Sequence, residues 1–359
     1  MTNARTVHPG AWWGWAVGVA VLAARTTSIP VLLAALATVA VVVTSCREPG
    51  PLSRSLGFFV RVAVAIVLFR LGLQIVVGIR IPGTTLFTLP SVELPSWMAG
   101  INLGGPVTLE ALLGALGKGL QLAVIIVAVG SASSLASPAR LLRALPRGLY
   151  EVGVVISVAL SLAPQLVLTV ADVRTARLLR GRPTTGLAGL RGMTVPVFEG
   201  ALDRSLELAA AMDSRGFGRH HDDAAWWRAP ALALSGVAIV VGAYQVLGPA
   251  TGSGRAVGTA LLAAGALTSA TATLSAGRGR RRTRYRPLRW TSASSVVLGS
   301  GAALAVAGFV SDLTHTGWSH PSGSGWEMLG SLPWPVLVGA IVAMVPAWVA
   351  PTAATDEGR

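Results

Sequence analysis

The sequence has few charged residues and a single cysteine. Only 12% of its 359 residues are Asp, Glu, Lys or Arg, whereas 52% are hydrophobic. This balance excludes an ordinary soluble domain and indicates an integral membrane protein. Cys46 has no second cysteine with which to form a disulfide in the chain. Residues 11–24 resemble the apolar core of a signal peptide, but no Ala-x-Ala cleavage site follows, so we expect this segment to remain in the mature protein.

The sequence also lacks the common motifs of catalysis. It contains no Gly-x-x-x-x-Gly-Lys-Ser/Thr phosphate loop, because "GALGKG" around Lys118 lacks the hydroxyl residue. His-Glu-x-x-His, paired cysteines and an Asp-rich diphosphate motif are absent too. We therefore expect a non-catalytic protein that holds no cofactor and no metal and cannot hydrolyse ATP by itself.

Two groups of residues contain side chains that could bind a metal ion. We interpret the first group as a solvated linker and the second as an ordinary loop rich in Gly, Ser and Pro. The groups are His220, His221, Asp222 and Asp223, and then Asp312, His315, His320 and Glu327.

Nine apolar runs are candidates for crossing the roughly 30 Å hydrocarbon layer of a membrane, which takes about 20 helical residues. They are residues 11–24, 29–45, 56–78, 109–130, 149–170, 229–248, 256–276, 291–311 and 333–350.

The distribution of the basic residues indicates how many of these runs cross the membrane. The chain has 28 Arg and one Lys against 15 acidic residues. In an apolar chain this surplus indicates cytoplasmic loops, so we expect no nucleic acid partner. If residues 149–170 do not cross, 23 basic residues share one face and three lie on the other. The sequence thus predicts an all-α, multi-pass protein of the cell membrane with eight spans, a cytoplasmic domain of long helices, and both termini in the cytoplasm.

Two predicted helices of the cytoplasmic part end in the same Arg-Gly pair. The first ends as "TARLLRG", at Arg180 and Gly181. The second, over residues 196–217, begins with Pro196 in its first turn and ends at Arg215 and Gly216. A cation and a glycine are common at helix C-termini. Finding the pair twice favours a shared role in binding a partner.

The stretches "VRTARLLRG" and "MTVPVFEGALDRSLELAAAMDSRGFG" resemble the coupling region of the transmembrane T component of energy-coupling-factor (ECF) transporters, the EcfT/CbiQ family. In that family, two long cytoplasmic helices each end in an Arg-centred motif that docks on an ATPase subunit. The resemblance assigns this role to Leu179, Arg180 and Gly181, and to Ser214, Arg215 and Gly216. Leu179 and Ser214 stand where the family most often has alanine.

Three further stretches resemble the family: "PVTLEALLGALGKGLQLAVIIV", "SPARLLRAL" and "RTRYRPLRW". Residues 219–278, with two apolar runs, stand where the family has a short connection. The predicted organisation is residues 1–130 with four spans, 131–228 as the coupling region, 229–276 as an inserted transmembrane hairpin, and 277–359 with a basic loop and the last spans.

The resemblance implies partners in the membrane and the cytoplasm. These are two ATP-binding cassette ATPase subunits and a substrate-binding membrane S component, which captures a vitamin or a transition-metal ion. The S component is expected to pack on apolar flanks of the first coupling helix, which include Val154, Leu160, Leu166 and Leu168.

Arg61, Arg70 and Lys118 fall inside predicted spans, where charge is costly. One interpretation is an ion or substrate path in a self-contained secondary transporter. The other is contact with partner subunits or the coupling helices. An inverted internal repeat would favour the transporter, and the sequence shows only the Arg-Gly repetition.

Overall fold

The computed structural model describes residues 7–46, 53–77, 82–93, 102–136, 141–142, 144, 150–216, 228–248, 253–276, 290–314, 327 and 329–350. The chain divides into two compact units. The first unit contains Met1–Ala144 and Arg284–Arg359, and the second contains Leu145–Thr283.

The described residues are mostly helical, as predicted, and every apolar run of the sequence overlaps a helix. The first unit contains α1 (Pro9–Arg25), α2 (Ile29–Cys46), α3 (Ser53–Val77), β1 (Thr85–Glu93), β2 (Asn102–Thr108) and α4 (Leu109–Leu135). The second unit contains α5 (Tyr150–Leu179), α6 (Gly186–Ser214), α7 (Arg228–Leu247) and α8 (Ser253–Ala276). The first unit is completed by α9 (Ser292–Thr314), α10 (Trp334–Ala343) and α11 (Pro346–Val349).

Within the described part of the chain, six helices are long and apolar enough to cross a membrane. They are α2, α3, α4, α5, α8 and α9, whereas α7 and the α10–α11 segment are shorter apolar helices. These lengths confirm transmembrane helices as the main element and are compatible with a multi-pass membrane protein.

The expectation of an all-α fold is wrong for residues 85–93 and 102–108, which form the two strands of a β-hairpin. β1 and β2 are antiparallel, with Thr85 opposite Thr108 and Glu93 opposite Asn102. The hairpin is fastened to the first turn of α4, because the Leu109 N–H donates to the Thr84 carbonyl (2.9 Å) and the Thr84 N–H donates to Glu110 (2.9 Å). Glu110 is 1% exposed, so the Thr-x-Glu of "PVTLEALL" has a structural role here.

In the first unit α1 and α9 run side by side in the same direction. The His8 N–H donates to Ser294 Oγ (2.9 Å) at their beginnings, and the Arg25 guanidinium lies 4.7 Å from the Phe309 ring near their ends. Between these points a Cβ on Gly18 would collide with the Gly301 carbonyl, so the two backbones meet without intervening side chains.

Contacts in the first unit define two opposite ends. At one end, which we call the terminal end, the start of α1 meets the start of α9, and Cys46 Sγ donates to the Pro346 carbonyl (3.4 Å). At the other, which we call the hairpin end, the α1–α2 connection at residues 26–28 meets Ser331, with Ser28 Oγ donating to its carbonyl (3.1 Å).

The path of α3 and α4 follows from their packing. They are antiparallel, since Phe59 lies against Gly130 and Arg70 lies against Gly119. Gly117 of α4 lies against the Thr27 carbonyl at the hairpin end, and α4 then runs about 27 Å toward the terminal end. Consequently α4 finishes at the end of the unit where α9 begins.

The second unit contains two helix pairs. In the α7–α8 pair, which covers the hairpin predicted at residues 229–276, Gly242 packs against Gly258 and Gly265 packs against Ile239. In the other pair, α6 begins at Gly186, so the prediction of a start at Pro196 is wrong. Pro196 lies inside the helix, where it removes one backbone hydrogen bond without ending the helix.

Candidate functional site

The backbone at the end of α5 closes in a Schellman motif. The Gly181 N–H donates to the Leu178 carbonyl (3.0 Å) and the Arg182 N–H donates to the Arg177 carbonyl (3.0 Å). Gly181 has φ +64°, the left-handed conformation that this motif requires and that glycine adopts without strain. Arg180 is therefore the capping residue immediately before the left-handed glycine.

The end of α6 shares the left-handed glycine and one of these hydrogen bonds. The Gly216 N–H donates to the Asp213 carbonyl (2.8 Å), and Gly216 has φ +71°. Arg215, with φ −90° and ψ 6°, is the C-cap, and Ser214 is the last helical residue. The predicted end of this helix at Gly216 is confirmed, and the repetition seen in the sequence is also a repetition of conformation.

The caps are made by the backbone and leave both arginine side chains available. Arg180 and Arg215 are exposed, and neither guanidinium has a hydrogen-bond or ion-pair partner among the described residues. Each guanidinium presents five N–H donors in a fixed planar arrangement. A Cβ at Gly181 would meet no atom within 4 Å, so the surface beside Arg180 is open to a partner.

Arg177, three residues earlier, has a different role that the sequence analysis missed. Its Nη1 donates to the Gly192 carbonyl (2.8 Å) and its Nη2 donates to the Pro183 carbonyl (3.1 Å). It is half-buried and fixes the start of α6 against the end of α5. The local pattern could not identify it, because both acceptors belong to the following connection and helix.

α5 and α6 are antiparallel and contact each other near Thr169, a contact that we call the crossing. Arg204 Nη1 donates to Thr169 Oγ1 (3.3 Å), and a Cβ at Gly200 would lie 3.8 Å from Thr169 Cγ2. From this crossing Arg180 lies about 16 Å along α5, and Arg215 lies about 16 Å from Arg204 along α6. The two Arg-Gly ends therefore point away from the crossing in different directions.

α5 presents a long apolar surface. From residue 154 to residue 188 no residue is buried. Of the predicted contact residues, Val154 is half-buried, whereas Leu160, Leu166 and Leu168 are exposed, Leu168 at 66%. A helix this apolar requires a hydrophobic cover from lipid or protein.

The potential metal ligands give no centre in the described residues, where no group of three or more His, Cys, Asp or Glu side chains comes together. Glu327 is exposed. The residues from His220 to Asp223, His315, His320 and the side chain of Asp312 lie outside the described residues, as do most of "SPARLLRAL" and "RTRYRPLRW".

The three cations predicted inside spans have different surroundings. Arg61 and Lys118 are exposed and Arg70 is half-buried. Arg70 and Lys118 come to the same level, because Arg70 Cβ lies 3.5 Å from the position of a Cβ at Gly119. Arg61 lies about 13 Å nearer the start of α3.

No protein-family model matches this chain, and no curated protein matches it. The features of the chain that bear on its function are the two Arg-Gly ends, the crossing that separates them and the apolar surface of α5.

Proposed function

We propose that the protein is the T component of an ECF-type importer, the subunit that transmits ATPase motion to a substrate-binding membrane protein. The observation that carries this proposal is the pair of equivalent helix ends, each with a left-handed glycine and an exposed arginine without a partner in the described chain. Helix capping explains the glycines but leaves both guanidinium groups unused.

The chemistry of each end suits an acidic groove on an ATPase subunit. A guanidinium binds a carboxylate through two parallel N–H···O bonds, which a lysine ammonium cannot reproduce. The glycine beside it has no side chain, so a partner's backbone can approach closely. Two such ends on different sides of one crossing fit two ATPase subunits, one for each arginine.

The crossing of α5 and α6 explains how movement is transmitted. Arg177 joins the two helices at their connection, and Arg204 contacts Thr169 at the crossing. When the ATPases move the helix ends, these contacts carry the displacement to the rest of α5. The apolar surface that includes Leu160, Leu166 and Leu168 contacts the S component and passes the movement to it.

The proposed arrangement has eight spans, with both termini and the coupling region in the cytoplasm of a cell-membrane protein. Its support is that α4 finishes and α9 begins at the terminal end of the first unit, so the chain between them crosses the membrane an even number of times. Crossing by α7 and α8 alone satisfies this condition and leaves α5 and α6 cytoplasmic. The chain then has no catalytic activity, and its substrate, a vitamin or a transition-metal ion, is chosen by the S component.

The test is recovery of ATPase subunits with variants purified from the native membrane. Arg180→Glu and Arg215→Glu each place like charge against an acidic groove, which costs several kcal/mol, on the order of a hundredfold in affinity. We expect each single variant to recover fewer ATPase subunits and the double variant to recover none above background.

Arg174→Glu is the matched control, because Arg174 is also exposed on α5 but lies before the helix end. It should recover ATPase subunits like the wild type at equal membrane abundance. Undiminished recovery and uptake in the double variant would mean that the arginines only cap their helices, and the proposal would be withdrawn.

A further inference from the structure

Arg70 and Lys118 bring two cations to one level on neighbouring helices of the first unit. Arg70 Cβ and Cγ lie 3.5 and 3.7 Å from the position that a Cβ on Gly119 would take. Lys118 precedes Gly119, and consecutive Cα atoms are about 3.8 Å apart. The two residues therefore share one level of the α3–α4 pair.

Other contacts bring this level next to the α1–α2 connection. The Thr27 carbonyl lies against Gly117, and Gln121 Nε2 donates to the Ala23 and Ala24 carbonyls at the end of α1. The α1–α2 connection and Ser331 are thus both near the level of Lys118. α1 and α2 have 17 and 18 residues, so each is about as long as the hydrocarbon layer is thick, and the connection between them lies near its boundary.

The length of α4 agrees with this position. From Gly117 to the end of α4 at Leu135 the helix covers about 27 Å, close to the roughly 30 Å of the hydrocarbon layer. The part of α4 before Gly117 and the β-hairpin then project beyond it. Arg70 and Lys118 lie where the phosphate groups of one lipid leaflet are found.

The surroundings of the two cations are apolar and open. Phe69 is 70% exposed and Leu68 is 63% exposed on α3, and Leu122 is 50% exposed on α4. Within the described part of the chain neither Arg70 nor Lys118 has an ion-pair or hydrogen-bond partner. The carboxylate of Glu110 accepts hydrogen bonds from Thr84 and lies about 12 Å further along α4 toward the hairpin.

The geometry points to a binding site for an anionic phospholipid of the leaflet at the hairpin end. Arg70 and Lys118 bind the phosphate through charge-assisted hydrogen bonds, and the acyl chains lie along the exposed apolar side chains of α3 and α4. A soluble phosphate ion satisfies the two cations but leaves this apolar surface uncovered. A lipid satisfies both.

This site depends only on the first unit crossing a membrane and is independent of the proposed coupling role. It is tested by titrating the purified full chain in a mild detergent with phosphatidylglycerol, and in parallel with phosphatidylcholine, and measuring retained lipid by native mass spectrometry. Wild-type protein should retain phosphatidylglycerol in preference to the zwitterionic lipid. The double variant Arg70→Gln, Lys118→Gln should bind it at least about tenfold more weakly.

Arg61→Gln is the matched control, because Arg61 lies on the same helix but far from this level. The affinity of this variant for phosphatidylglycerol should stay within about twofold of the wild type. The charge-retaining variant Arg70→Lys, Lys118→Arg should still prefer phosphatidylglycerol over phosphatidylcholine. This result would show that substitution at these two positions does not by itself unfold the protein. Equal phosphatidylglycerol binding by wild type and the Gln variant would overturn the site.

A separate arm adds inorganic phosphate to the lipid-loaded protein. We expect millimolar phosphate to leave the lipid bound. Complete displacement by phosphate would mean a site for a soluble anion, and the lipid assignment would be wrong.

Discussion

At the residue scale, neighbouring residues at the end of α5 have different roles. Gly181 supplies the left-handed turn that closes α5, Arg177 holds the following helix, and the Arg180 side chain has no hydrogen-bond or ion-pair partner among the described residues. The sequence could predict the Arg-Gly caps, because a left-handed glycine after a helix is a local feature. It could not predict Arg177, whose acceptors depend on how α6 returns along α5.

This separation predicts different effects of two alanine substitutions. Gly181→Ala forces a Cβ into the left-handed region and should cost about 1–2 kcal/mol. Hydrogen exchange of the amides in the last turn of α5 should then accelerate about 5- to 30-fold. Arg180→Ala removes only the interaction of its charge with the helix dipole, about 0.3–1 kcal/mol. Equal acceleration by both substitutions would show that the Arg180 side chain belongs to the cap.

At the element scale, the apolar runs of the sequence predicted where the helices lie better than where they begin. Every apolar run overlaps a helix, because a helix satisfies its backbone groups within the segment whether lipid or protein covers it. α6 begins before Pro196 because the proline removes only one hydrogen bond, and the contact between Arg177 and Gly192 stabilises the preceding turns.

The β-hairpin was missed for a different physical reason. Pro90 and Gly104 interrupt the alternation expected of strands, and the register is irregular between Leu89 and Val92. Proline and glycine weaken a strand signal in the sequence. What holds the hairpin is its attachment to Glu110, a contact between residues 26 positions apart that local patterns do not contain.

The α5–α6 crossing predicts a specific cross-link. With Cys46→Ala as background, Thr169→Cys and Gly200→Cys should form a disulfide on mild oxidation, because these side chains come within contact distance. Pairing Thr169→Cys with Ser214→Cys should give none, since Ser214 lies about 15 Å beyond Arg204 along α6. Non-reducing electrophoresis after proteolysis between the helices measures the outcome. Cross-linking of the control pair alone would mean that the helices cross elsewhere.

At the scale of the whole molecule, contacts of the first unit bring two arginine-poor parts of the sequence to one end of that unit. The arginine-poor face predicted from the sequence contains residues 26–28 and Ser331, and these meet at the hairpin end. Charge asymmetry could predict this pairing because it acts during membrane insertion.

The proposed sidedness, with α5 and α6 in the cytoplasm and the β-hairpin outside, is checked by labelling single cysteines in intact cells. In a Cys46→Ala background, a membrane-impermeant maleimide should modify Thr88→Cys in β1 and spare Thr185→Cys at the start of α6. Both positions are exposed in the structure, so protection reports the membrane side rather than burial. After the cells are opened, both cysteines should react. Modification of Thr185→Cys in intact cells would place the Arg-Gly helices outside and exclude cytoplasmic ATPase partners.

The parallel pairing of α1 with α9 also affects the order of events during biosynthesis, because α1 is made long before the helices on which it packs. His8 meets a hydroxyl 286 residues later, and the Trp15 indole donates to a carbonyl 328 residues later. At about 5–20 residues per second, the ribosome needs roughly 15–65 s to make that carbonyl after Trp15. Throughout that interval the Trp15 indole N–H and the glycine surface at Gly18 lack the partners that cover them in the folded protein. A nascent chain released before α10 is made would never supply the carbonyl that accepts from Trp15. Membrane quality-control proteases would then act on a protein whose core is incompletely packed.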